Sequence, residues 1–134
     1  MNKEAYVSFK IAELLKEKGF DWDIRQYYAL DSKTNVWELE YDDNEGNYNT
    51  YGENLISAPT QQMACRWLRK RGIHIMPTIG CDVDRTPRIF YGAVIALFND
   101  YGDIDYRDPL DENGYNESED AVEAALEYVL TNLI

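Results

Sequence analysis

The groups best suited to covalent or metal chemistry are few in this chain: one histidine, His74, and two cysteines, Cys65 and Cys81. A thiolate activated by a neighbouring imidazole is a nucleophile, and sets of Cys and His hold zinc. Neither chemistry has a sequence frame here. His74 stands in the stretch IHI, where strand alternation turns it away from Ile73 and Ile75. Cys65 lies beside Met63 and Ala64 and reads as a small core hydrophobe. Three widely spread Cys/His residues also fall short of the four ligands of a structural zinc site. Calcium has a denser candidate in DYGDIDYRDPLDENGYNESED, but an EF-hand frame begun at Asp103 puts Arg107 at the fifth position and Asp108 at the sixth. That run reads as a solvated acidic hairpin leading into a helix N-terminus. No glycine-rich phosphate loop, GxSxG or HExxH is present. No catalytic residue, metal ligand or cofactor is therefore assigned, and an enzyme of unknown class stands as a lesser alternative.

Non-covalent recognition has two candidates. The first is the acidic, tyrosine-bearing region made of Tyr101, Asp103, Asp105, Tyr106, Asp108, Asp111, Glu112 and Tyr115. Tyrosine among Asp, Asn and Gly is the chemistry of adaptable protein-binding surfaces, and eleven tyrosines are unusual for this length. The competing expectation is that the rings seal the margins of a small core while their hydroxyls stay wet. The second candidate is the cluster Arg66, Arg69 and Lys70, a set of cations that could contact phosphate. Cations in the last turn of a helix also offset its dipole and pair with nearby acids, which explains the cluster without a ligand.

Charge weighs between the two. The formal net charge is −12, with 10 Lys/Arg against 12 Asp/Glu in residues 1–71 and 3 against 13 in residues 72–134. Such a field repels nucleic acid and anionic membrane and attracts basic partners. The expected partner is an unknown protein with a basic surface; nucleic acid is the alternative, and no membrane is expected. The longest apolar run, IFYGAVIALF, is too short to span a bilayer. The opening MNKEAYVSFKIAELLKEKG lacks an apolar leader core, and two cysteines make no disulfide framework, so a cytoplasmic setting is expected. At 134 residues the chain is read as a single domain, 1–134.

The elements that must position these residues follow from periodicity. VSFKIAELLKEKG predicts a helix from Ser8 to Lys18, with Ser8 as N-cap, Val7 stapled to Ala12 and Gly19 after the last turn. IRQYYAL and VWELEYD predict strands, the second with Trp37, Leu39 and Tyr41 on one face and Glu38, Glu40 and Asp42 on the wet one. DDNEGN reads as a turn and NYNTY as a weaker returning strand. Thr60 should cap a second helix that buries Met63, Ala64, Trp67 and Leu68 and ends at Gly72. IHIMPTI should follow as a strand, then a polar loop, then RIFYGAVIALF as the most buried strand, then DIDYRD returning antiparallel. Asn116 or Ser118 should cap a third helix whose stripe runs through Ala121, Val122, Ala125, Leu126, Val129, Leu130 and Leu133. The fold class is α+β, a largely antiparallel sheet of five or six strands with three amphipathic helices mainly on one face.

Three blocks, VSFKIAELLKEKGFD, ISAPTQQMACRWLRKRGIHI and EDAVEAALEYVLTNLI, resemble short uncharacterised reading frames of Bacteroides-type gut bacteria and their phages. The resemblance covers somewhat under half of the chain and carries no activity or site residue with it. It implies a bacterial cytoplasmic protein of a phage or mobile element. Together with the charge, it leads to the expectation of a non-catalytic accessory or protein-interaction module.

Overall fold

The computed structural model describes residues 5–82 and 88–134. It is an α+β fold with three helices and six strands, all paired antiparallel, divided into two three-stranded sheets. Part of the polar loop expected before RIFYGAVIALF, residues 83–87, lies outside the described residues.

The first sheet has the order β2-β1-β3, with β1 at Ile24–Leu30, β2 at Trp37–Gly46 and β3 at Leu55–Ser57. Two local expectations fail here. DDNEGN does not turn; β2 runs through it to Gly46, absorbing the mismatch as a register shift between Ile24 and Gln26. NYNTY does not return as a strand but folds as a 3-10 helix, Tyr48–Thr50, and the third strand is the short LIS after it. The reason is a buried ring. Tyr48 stacks on Tyr27 of β1 at 4.3 Å and donates its hydroxyl to the Asn44 carbonyl, which holds the segment against the sheet instead of beside it. The alternation of β2 is real, but Leu39 and Tyr41 remain exposed, because only Trp37 reaches a covering side chain, Phe9.

The second sheet has the order β4-β5-β6, with β4 at Ile73–Asp82, β5 at Arg88–Phe98 and β6 at Ile104–Arg107. β5 is central, as its double-sided apolar pattern demands, and Ala93, Ile95 and Ala96 are buried. Its ends, Ile89 and Phe98, are open to solvent. Pro77 sits in β4, where a missing N–H is tolerated because β4 is an edge strand.

Helices α1 (Phe9–Glu17), α2 (Gln61–Arg69) and α3 (Ser118–Asn132) supply the core. α3 packs on β4 and β5, α2 on β4 and α3, and α1 on α3 and β3. Ser8 and Thr60 cap α1 and α2 as expected, accepting from the amides of Ile11 and Met63. Neither expected residue caps α3: the N-cap is Glu117, whose side chain makes no capping bond, so Glu119 and Asp120 answer the helix dipole alone. Ala12, Ala64, Ala121 and Ala125 are fully buried and let the helices approach closely. Around them lie Ile11, Leu15, Trp67, Leu68, Leu126, Val129 and Leu130, each contributing roughly 1.5–3 kcal/mol through burial for the larger aliphatic groups. Gly72 ends α2 at φ +79°, and a Cβ there would come within 3.0 Å of the Phe98 carbonyl. That glycine lets β4 begin directly against β5.

Candidate functional site

Register assigns side chains to the two faces of the second sheet. Ile73 and Ile75 of β4 are buried toward the helices, opposite Leu97 and Ile95. The alternate residues point outward: His74 and Met76, with Ala96, Val94 and Phe98 on β5 and Ile104 and Tyr106 on β6. Among the described residues no element covers this outward face. Tyr106 is 62% exposed, Ile104 44%, Phe98 43% and Met76 39%. Ala96 is nevertheless buried, because His74 and Tyr106 stand directly opposite it on both sides. His74 meets Phe98 edge-on at 4.7 Å, so the lone histidine is part of an apolar surface. Met76, Phe98 and Ile104 were not singled out from sequence. The signal was present in the even positions of IHIMPTI and in the register of the returning strand, but only the pairing makes these residues neighbours.

The eight acidic and tyrosine candidates line one side of this sheet and face different ways. Tyr106 lies on the outward face; Asp105 lies on the helix side, where it holds Arg107 at 3.0 Å. Arg107 also bonds Tyr128 of α3, and these partners, Asp105 first, raise its already high pKa. Tyr101 is almost wholly exposed at the tip of the turn after β5. Its amide and that of Asp103 donate to Asn99 Oδ1, so Asp103 is placed by the turn itself. Asp111 accepts from the Asn113 amide in a local turn. Tyr115 exchanges two backbone hydrogen bonds with Tyr91, both 2.8 Å, which ties the loop back to β5. It shares a concavity of about 290 Å³ with Asp111, Tyr128 and neighbouring residues of α3, not with Tyr106. Asp108 and Glu112 are exposed. Asp100, Tyr101 and Asp103 thus lie in the turn that joins β5 to β6, and Asp108 directly follows β6.

On α2 the basic residues divide. Arg66 and Arg69 are exposed and line a concavity of about 420 Å³ with Thr60, Gln62 and Met63. Lys70 leans over the Trp22 ring at 5.8 Å, and Arg71 stacks on Trp67 at 3.6 Å. Neither Arg66, Arg69 nor Lys70 makes an ion pair among the described residues, so pairing with nearby acids does not account for them. One turn before Arg69 on the same helix Cys65 is buried, and burial pushes its thiol up to about 11, with Arg69 pulling the other way. A protonated, enclosed thiol is a poor nucleophile. Cys81 and His74 cannot combine either. Seven residues separate them on one strand, about 23 Å at 3.3 Å per residue, and the odd spacing puts them on opposite faces. Among the described residues no group of three His, Cys, Asp or Glu side chains converges as a metal site. No described helix is long and apolar enough to cross a membrane.

Comparison with protein-family models, curated proteins and solved structures finds no match to this chain.

Proposed function

We propose that this chain is a non-catalytic accessory module that binds a basic protein partner through the outward face of β4, β5 and β6. The observation that carries the reading is the shared exposure of Met76, Phe98, Ile104 and Tyr106 on a face that no other element among the described residues covers. A contiguous apolar surface rimmed by polar groups is the composition of a docking site, with aromatic residues at its centre. The exposed carboxylates of the adjoining turn and of the segment after β6 select for positive charge in the partner and speed encounter. The resemblance to phage and gut-bacterial reading frames supports a setting in the bacterial cytoplasm, as the product of a phage or mobile element.

The test pairs the wild-type chain with Tyr106→Ala and Phe98→Thr as baits in host lysate. The expected result is one protein with a basic surface, retained at low salt, weakened at high salt and lost with both variants while their thermal midpoints stay unchanged. Equal capture by wild type and variants, or no reproducible capture, sinks the reading. Catalysis is not required by any part of this arrangement.

A further inference from the structure

The first sheet ends on β2, and part of that strand's backbone points outward. On β1 the Leu30 amide donates to the Asn54 carbonyl and the Gln26 carbonyl accepts from the Ala58 amide, so the even residues of β1 turn their backbone toward β3. The odd residues Tyr27 and Ala29 therefore turn theirs toward β2, where they stand opposite Glu40 and Glu38. That directs the N–H and C=O groups of Leu39 and Tyr41 away from the sheet, and they make no hydrogen bond among the described residues. The other edges are blunted. On β3 the outward Ser57 amide donates to Asn49 Oδ1, and the Leu55 carbonyl accepts from Lys16 Nζ. In the second sheet β6 has only four residues, and Pro77 takes an amide out of β4. The stretch 37–41 of β2 has neither a proline nor a register shift.

Side chains along this edge specify the strand that fits it. Glu38 and Glu40 share one face, exposed and in no ion pair among the described residues, with Ala29 and Tyr27 as cross-strand neighbours. Leu39 and Tyr41 share the other face, 45% and 56% exposed, beside Trp37 where it meets Phe9. Carboxylates of one sign keep acidic strands off an edge but attract basic ones, and a second copy's β2 would set Glu against Glu. We infer that β2 takes an extended segment of a basic partner protein as a fourth strand. Its cations face Glu38 and Glu40, and its apolar side chains extend the surface of Leu39 and Tyr41. Backbone hydrogen bonds hold such a strand, and alternate side chains select it. This edge belongs to the first sheet and is independent of docking on the outward face of the second.

The test is amide hydrogen exchange and proton–nitrogen spectra of the full chain, titrated with a capped heptapeptide that alternates lysine and valine. In the free chain the amides of Leu39 and Tyr41 should exchange fast and those of Glu38 and Glu40 slowly. The peptide should give saturable shifts along β2 and protect Leu39 and Tyr41, and salt should weaken it. The same peptide with glutamate for lysine should not bind. Two further peptides carry N-methyl groups on either the valine or the lysine amides, leaving charge and side chains in place. Loss of binding in the valine frame alone identifies an antiparallel fourth strand, and loss in the lysine frame alone a parallel one. Glu38→Gln with Glu40→Gln should weaken binding about tenfold. Leu39→Pro should abolish it at less cost to the fold than Glu40→Pro, whose amide belongs to the ladder with β1. Phe98→Thr, on the second sheet, should change nothing. The inference is overturned by a lysine–valine peptide that does not bind, by Leu39 and Tyr41 amides already protected in the free chain, by two N-methyl frames of equal effect, or by a double glutamine variant that binds like wild type.

Discussion

The two sheets are built from similar material and end in opposite states. Each is a three-stranded antiparallel sheet rich in tyrosine and aliphatic residues. The chain folds back over the first: Tyr48 of the 3-10 helix stacks on Tyr27, Tyr51 meets Tyr48 edge-on at 5.4 Å, and Tyr48 is left only 5% exposed. Among the described residues nothing folds back over the outward face of the second, where Tyr106 stays open beside Phe98 and Ile104. The same residue type therefore does two jobs. Whether a tyrosine seals or presents depends on whether a later segment is long enough, and suitably shaped, to cover it.

The largest expected contrast is between the two tyrosines. Tyr48→Ala removes a buried, stacked ring and should destabilise the fold by about 3 kcal/mol, whereas Tyr106→Ala should stay within about 0.5 kcal/mol. Urea unfolding of both variants measures this, and similar midpoints would erase the distinction between sealed and open sheets.

The enclosed side should also respond to alkali. Cys65 is raised from 9.0 to about 11, so the folded state keeps its proton where the unfolded state loses it. Its contribution is fully present below pH 9 and is lost as pH rises from about 9 to 11, on the order of 2–3 kcal/mol. Burial raises Tyr28 and Tyr48 as well, adding the same sign above pH 10. Denaturation followed from pH 7.5 to 10.5 should therefore show falling stability, with a shallower fall in Cys65→Ala.

A smaller effect separates the helix starts. Thr60→Ala should cost about 1 kcal/mol by exposing the Met63 amide of α2, while Glu117→Ser should gain a few tenths by giving α3 the side-chain cap it lacks. Thermal midpoints moving in opposite directions would bear this out. The smallest effect on stability belongs to the open face: Phe98→Thr with Ile104→Thr keeps strand-forming residues on a wet surface and should leave unfolding within about 0.5 kcal/mol of wild type. Equilibrium unfolding that drops by several kcal/mol would mean that this face is structural after all.

Local signals were legible where a single helix turn or strand contains all the relevant atoms. Ser8 and Thr60 are caps because their hydroxyls reach amides three residues on. The stripes of the three helices, and the strands IRQYYAL, IHIMPTI and DIDYRD, needed only periodicity. Failures came where a distant residue overruled the local pattern. NYNTY has strand propensity, yet Tyr48 gains more by stacking on Tyr27. DDNEGN has turn chemistry, yet Gly46 pairs with Ile24. Of the candidate sites, Arg66 and Arg69 were visible as cations on one helix face. The outward neighbours Met76, Phe98 and Ile104 were not, because only strand pairing brings them together.

By itself, then, the sequence determined the α+β class, the helix starts, the buried stripes and the acidic character, all of which follow from residue type and short-range spacing. Tertiary structure decided that there are two sheets, that one tyrosine cluster is sealed and another open, and that Arg66 and Arg69 line a concavity beside α2. Those outcomes rest on contacts between residues tens of positions apart, and no local period records which of two similar apolar faces the rest of the chain will cover.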